Sequence, residues 1–183
     1  HAVEIDDRNA ALAASKFART PWRDRLHVHA MDIRRLRSAE PFDRIVSNPP
    51  FHDGTQRPLH DRRAVAKHGP DLSFPALIEV CDRLLSPTGR ISLVLPLLRV
   101  KEIVSLAASN GLHPVRTFEL CYVKDRPPKR ALLELGRHPG LVDTGRLVVR
   151  GDSPLGYSPE VHRLLKDLLP APTGSGRDLP LSE

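Results

Sequence analysis

The run Asn48-Pro49-Pro50-Phe51 holds the residue types best suited to chemistry in this chain. Each proline fixes φ and removes an N–H, so the backbone after Asn48 is stiff. The Asn48 side-chain oxygen and the Pro49 carbonyl can then point, as acceptors, at one spot, and Phe51 adds a flat apolar face beside it. This set suits an exocyclic amino group on an aromatic or amide plane. The chemistry it implies is alkylation of a planar nitrogen. The bland alternative is a proline-rich turn after a strand. Position favours the functional reading. Phe42-Asp43-Arg44-Ile45-Val46-Ser47 precedes the tetrad, and Ile45 and Val46 give a short apolar run of buried-strand type. Ligands of open α/β sheets sit outside the carboxyl ends of such strands.

The flanking elements alternate mostly strand then helix, which predicts a parallel sheet covered on both faces. Residues 2–7 read as a strand ending in acids, and 7–18 as a helix capped by Asp6 or Asp7. Ala11, Ala14, Phe17 and Ala18 fall at helical spacing in it. Residues 26–31 form a short strand ending at Asp32. The polar stretch 52–70 is too long for an ordinary connection, which marks it as functional. Residues 73–85 read as a helix stopped by Ser86-Pro87-Thr88-Gly89, and 91–95 as a buried strand ending at Pro96. Residues 98–109 are a helix closed by Asn110-Gly111.

Two apolar segments, 113–123 and 131–136, flank the basic turn Lys124-Asp125-Arg126-Pro127-Pro128-Lys129-Arg130 and predict an antiparallel hairpin. Residues 146–150 add an edge strand, and 158–169 a last helix with Ser158 as cap and Pro159 at its first position. One domain over 1–169 results. Residues 170–183, rich in Pro, Gly and Ser, read as a disordered tail.

Composition narrows the partners. Net charge is +6, from 28 basic and 22 acidic residues, which favours a polyanion. Cys81 and Cys121 fall in a helical and a strand segment far apart, so both read as structural thiols of a reducing, cytoplasmic compartment rather than a bridge or metal site. The chain opens on His1 inside a strand, with no signal segment and no membrane-length apolar run, and reads as a fragment free of membrane insertion.

The order Glu4-Ile5-Asp6, Asp32, Asn48-Pro49-Pro50-Phe51 at successive strand ends resembles class I S-adenosylmethionine-dependent methyltransferases. Thr20-Pro21-Trp22, Pro128-Lys129-Arg130-Ala131-Leu132-Leu133-Glu134, Arg146-Leu147-Val148-Val149-Arg150 and Tyr157-Ser158-Pro159-Glu160 narrow the likeness. With them the chain is similar to the bacterial tRNA1(Val) (adenine37-N6)-methyltransferases over nearly its whole length. The resemblance implies a Rossmann-like α/β sheet with helices on both faces and a C-terminal antiparallel hairpin. It also implies S-adenosylmethionine as cofactor, tRNA as partner, and N6-methylation of the adenine just 3′ of the anticodon, with no metal.

One departure stands out. The family opens with a strand and a Gly-rich turn that cradles the methionine end of the cofactor, and this chain has neither. Its Gly174-Ser175-Gly176 follows no strand. The missing strand belongs at mid-sheet, between the strand ending at Glu4 and the one ending at Asn48. The segment alone is therefore expected to be inactive and to bind cofactor weakly.

By the resemblance, Glu4 accepts from the cofactor's ribose hydroxyls, Ile5 packs on its adenine, and Asp32 accepts from the adenine amino group. The competing readings are a solvated strand-end charge for Glu4, core packing for Ile5 and a turn cap for Asp32. Asn48 and Pro49 would hold the reacting amino group, Pro50 would stiffen the loop, and Phe51 would stack on the target base. Two basic clusters, Arg57, Arg62, Arg63 and Lys67 after the tetrad and Lys124, Arg126, Lys129 and Arg130 at the hairpin, suit an RNA backbone, against the plain alternative of solvated faces. His52, His60 and His68 share a loop but carry no cysteine, so a metal is not expected. Competing functions are a release-factor glutamine methyltransferase, an rRNA guanine-N2 methyltransferase, or a noncatalytic RNA-binding remnant.

Overall fold

Short apolar runs and capped helices build two sheets over a shared core. The computed structural model describes residues 1–49, 72–151 and 156–168. Ala2–Glu4 (β1) leads into Asp7–Phe17 (α1), whose cap Asp6 accepts from the backbone N–H groups of Arg8 and Asn9. Val28–Ala30 (β2) returns parallel to β1. Next come Phe42–Ser47 (β3), Phe74–Leu84 (α2), Leu85–Pro96 (β4) and Val100–Ala108 (α3). His113–Cys121 (β5), Arg130–Gly136 (β6), Asp143–Val148 (β7) and Pro159–Leu165 (α4) complete the chain. Ser73 and Ser158 cap α2 and α4 with their hydroxyls, and a proline follows inside each first turn.

The second sheet runs β3-β4-β6-β5-β7. β3 lies parallel to β4, β6 antiparallel to both β4 and β5, and β7 parallel to β5. The carboxyl ends of β3, β4, β5 and β7 therefore share one edge, where ligands of such sheets bind. The expected hairpin is β5–β6, with β6 inserted between β4 and β5.

Period-two alternation places Ile91, Leu93 and Leu95 of β4 on the covered face, all essentially inaccessible. They pack with Leu133 and Leu135 of β6, with Leu77, Ile78 and Cys81 of α2, and with Ile103 and Ala107 of α3. On the opposite face α4 lies near β7, and Val46 of β3 stays 77% exposed beside a groove of about 510 Å³. Cys81 and Cys121 are buried free thiols, and burial pushes the Cys81 thiol up to about 12. No helix among the described residues is long and apolar enough to cross a membrane.

The two-stranded sheet β1–β2 is separate from the five-stranded one, and the break falls between β1 and β3. The two sheets still share a buried cluster. Leu36, Val80 and Leu84 lie beneath both, with Val3 and Met31 packed from one side and Phe42 and Ile45 from the other. A cavity of about 470 Å³ lies above it, lined by His1, Ala2 and Val3 and by residues of β3.

Four local expectations differ from the structure. In α1 the buried residue is Ala10, at 3% exposed, with Ala13 and Phe17 half-buried, while Ala11, Ala14 and Ala18 face solvent. An alanine-rich helix has a weak apolar phase, so contact with β1 and β2 sets its rotation. The edge strand β7 starts at Asp143 rather than 146, because Arg116–Asp143 and Arg146–Glu119 ion pairs, at 2.9 and 3.1 Å, tie it to β5. α4 ends at Leu165, short of 169. The stop at Asn110-Gly111 is as expected, with Gly111 at φ 68° and Leu112 N–H donating to the Ala107 carbonyl at 2.9 Å.

The Ser86-Pro87-Thr88-Gly89 stop is not a free turn. It is a bulge inside β4, since Phe42 pairs with Leu85 and Arg44 already pairs with Arg90. A Cβ at Gly89 would meet the Leu85 side chain at 2.7 Å and the Phe42 carbonyl at 3.0 Å. Leu85 is itself buried and cannot swing away. Gly89→Ala should therefore destabilise the protein by about 1–3 kcal/mol. Urea denaturation checks this, and an unchanged midpoint would show that the bulge relaxes freely.

Candidate active site

Ser47, the last residue of β3, pairs with Leu93 of β4, and the chain leaves the sheet at Asn48. Asn48 is exposed while Pro49 is buried, so the proline anchors the chain just beyond β3 and leaves the Asn48 side chain outward. The Asn48 carboxamide makes no hydrogen bond to any other described residue. Its oxygen is open to an incoming donor. Pro50, Phe51, Arg57, Arg62, Arg63 and Lys67 lie outside the described residues, as do His52, His60 and His68 and the tail.

Parallel pairing of Glu4 with Ala30 brings the ends of β1 and β2 together, and with them Glu4, Ile5 and Asp32. Glu4 is half-buried, and its Oε1 accepts from the Asp6 N–H at 2.9 Å. A carboxylate has about four acceptor sites, so capacity remains for a vicinal diol. Ile5 is 38% exposed and has not been drawn into the core, which leaves an apolar surface beside Glu4.

Asp32 is committed locally. It caps the turn Ile33–Arg35, its Oδ1 accepting from the Arg34 N–H at 2.9 Å, and both carboxylate oxygens accept from the Arg34 side chain. These side-chain hydrogen bonds hold its carboxyl below the usual carboxylate range. The capping arrangement is thus formed. A ligand amino group at Asp32 would have to share its oxygens with Arg34.

The basic hairpin comes to the same edge as Asn48. Arg130 lies opposite Pro96 at the carboxyl end of β4, and the Lys129 carbonyl accepts from the Leu97 N–H at 3.0 Å. The turn carrying Lys124, Arg126 and Lys129 therefore projects beyond the strand ends. β6 is two strands from β3, about 10 Å at ordinary strand spacing. All four cations are exposed, and none pairs with an acid among the described residues. Together these residues present an open acceptor at Asn48 and a field of positive charge along one sheet edge. No group of three or more His, Cys, Asp or Glu among the described residues could hold a metal ion.

Sequence reasoning missed Tyr122 and Arg150. Arg150 Nε donates to the Tyr122 hydroxyl at 3.0 Å, and the guanidinium lies 5.3 Å from the ring centroid. The two residues are 28 positions apart. Only the parallel register of β5 and β7 makes them neighbours.

Comparison with known proteins identifies the family and the fold. The methyltransferase small domain model matches residues 1–96. The chain is 34% identical over 169 residues to the tRNA1(Val) (adenine(37)-N6)-methyltransferase of Vibrio vulnificus strain YJ016, covering 91% of this chain and 69% of that protein. Among solved structures it is similar to a predicted O-methyltransferase of Agrobacterium tumefaciens, with TM-score 0.61, 18% identity and coverage of 90% of this chain and 75% of that one. The glycopeptide N-methyltransferase MtfA, solved with S-adenosylmethionine, gives TM-score 0.53 at 14% identity, covering 75% and 71% of the two chains. These structural likenesses establish the fold as that of class I methyltransferases.

Proposed function

The chain belongs to the methyltransferase small domain family, and from that membership we propose that the protein, with its family's amino-terminal strand and Gly-rich turn, methylates N6 of an adenine in a tRNA anticodon loop, adenine 37 of tRNA1(Val). The observation that carries this reading is the open Asn48 carboxamide at the carboxyl end of β3, on the same edge as the basic hairpin. S-adenosylmethionine, when bound, supplies an activated methyl group.

This chain's residues then have to bind and align. The Asn48 oxygen and the Pro49 carbonyl accept from the two N6 protons and turn the nitrogen lone pair toward the methyl group. Catalysis of this kind is alignment and charge placement, with no acid or base needed in the attack. Phe51 stacks on the target base, which must first leave its own stack. Glu4 accepts from the two ribose hydroxyls of the cofactor, and the exposed Ile5 packs on its adenine. Its half-buried carboxylate with spare acceptor sites fits that diol. Asp32 receives the adenine amino group, sharing its oxygens with Arg34. The described residues fit the nucleoside end of the cofactor, and the chain has no glycine-rich turn after a strand for the methionine end. Lys124, Arg126, Lys129 and Arg130, with Arg57, Arg62, Arg63 and Lys67, meet phosphates. The reaction belongs to the cytoplasm, where Cys81 and Cys121 stay reduced.

The test is nucleoside mass spectrometry of tRNA incubated with S-adenosylmethionine and the protein extended by the amino-terminal strand and Gly-rich turn of its family. N6-methyladenosine in the anticodon loop is the expected product. Methylated guanine, or methyl transfer to a glutamine side chain, would overturn the assignment.

A further inference from the structure

Cys121 and Val148 end β5 and β7 side by side, at the edge where Asn48 emerges. Backbone pairing continues one step beyond them, since Val149 N–H donates to the Cys121 carbonyl at 2.8 Å and Arg150 N–H to the Tyr122 carbonyl at 2.9 Å. Tyr122 and Arg150 are thus held by main-chain bonds rather than set on a loose loop. An antiparallel bridge from Arg150 to Tyr157 fixes the second strand further. The Arg150 side chain bonds the Tyr122 hydroxyl and fixes the ring at that end, yet the residue stays 61% exposed.

Core packing does not explain a tyrosine so placed. Its hydroxyl is satisfied, the Arg150 guanidinium lies over one side of its ring while the residue stays largely exposed, and its chain neighbours in the turn are Lys124 and Arg126. A rigid flat ring edged by cations suits an unpaired nucleotide, whose base stacks while its phosphate meets positive charge. The position suits it as well. β5 lies three strands from β3, so Tyr122 is about 14 Å along the edge from the Asn48 exit. That is too far to touch the reacting base and within reach of a nucleotide flanking it.

We propose that Tyr122, braced by Arg150, is a stacking platform for an unpaired base beside the one that is methylated, with Lys124 and Arg126 on its phosphates. The proposal rests on RNA being the substrate, as argued above. It assigns the loop-selective part of binding to a ring and its brace, outside the Asn48 tetrad.

The test measures fluorescence anisotropy of the full chain with a labelled stem-loop RNA carrying an unpaired loop, and with a blunt duplex RNA as control. Tyr122→Ala and Tyr122→Leu should each weaken stem-loop binding about tenfold to hundredfold and leave duplex binding unchanged. Tyr122→Phe and Arg150→Ala each remove the hydrogen bond that holds the ring while keeping an aromatic face, so both should fall between those variants and the original protein. Because Leu keeps an apolar side chain, its loss of binding would separate stacking from packing. Stem-loop affinity unchanged in Tyr122→Ala, or equal losses on stem-loop and duplex, would overturn the platform. Nucleoside analysis of the same samples reads the proposed reaction separately, so the selective binding loss supports the platform whichever nucleoside is formed.

Discussion

In the protein extended by its family's amino-terminal strand and Gly-rich turn, Asn48→Ala should lower single-turnover methyl transfer by about 10²–10³ while leaving cofactor affinity near its original value. The expectation follows from where the side chain sits. Asn48 is the first residue beyond β3, with its carboxamide unbonded to other described residues, whereas Glu4 and Asp32 end the neighbouring sheet across the break. Removing the carboxamide takes away one of two acceptors for the N6 protons and touches nothing that holds a ribose. Pro49 is buried and Asn48 exposed, so the truncation should leave the fold intact. Glu4→Ala should act in the opposite sense, raising the cofactor's dissociation constant with less effect on the transfer step. Phe51→Ala should fall between them, losing base stacking as well as alignment. Cofactor titrations beside single-turnover kinetics on the three variants separate these roles. Near-normal transfer with lost cofactor affinity in Asn48→Ala would move the tetrad to the cofactor side and refute the assignment.

What the sequence could reveal depended on the range of the interaction. Asn48-Pro49 was legible because prolines stiffen their own neighbourhood and because an apolar run leads straight into them. The hairpin was legible for a similar reason, its Pro-Pro turn lying between two apolar segments. The caps Asp6 and Ser158 were equally local, each side chain closing on an N–H two or three residues away. The rotation of α1 was not legible, since alanines on every side give no face a clear advantage. Nor was the bulge at Ser86-Pro87-Thr88-Gly89, which exists because Phe42, more than forty positions earlier, pairs with Leu85. Asp32 shows a third limit. Its sequence context allowed both cap and ligand, and the geometry shows the cap fully formed while the ligand role stays a proposal. The pairing of Tyr122 with Arg150 gave no signal, because their proximity comes from the register of two strands that are not consecutive.

Binding of the RNA should weaken steeply with salt. Each phosphate neutralised by a Lys or Arg releases a condensed counterion, contributing about −0.7 to the logarithmic slope on a single strand. If Lys124, Arg126, Lys129 and Arg130 each meet one phosphate, affinity should fall roughly fiftyfold between about 50 and 200 mM salt. If Arg57, Arg62, Arg63 and Lys67 contribute equally, the loss should reach roughly two-thousandfold over the same range. Replacing the four hairpin cations with alanine should therefore halve the slope. Tyr122→Ala should instead lower the whole line without tilting it, because stacking releases no counterion. The two experiments thus divide the interface into its charged and its flat parts. The hairpin cations are exposed and without acidic partners among the described residues, so no internal ion pair has to break before they meet RNA. Titrations at several salt concentrations on the original, hairpin and Tyr122 proteins provide the measurement. An unchanged slope in the hairpin variant would mean that its charges face solvent and that RNA passes elsewhere along the edge.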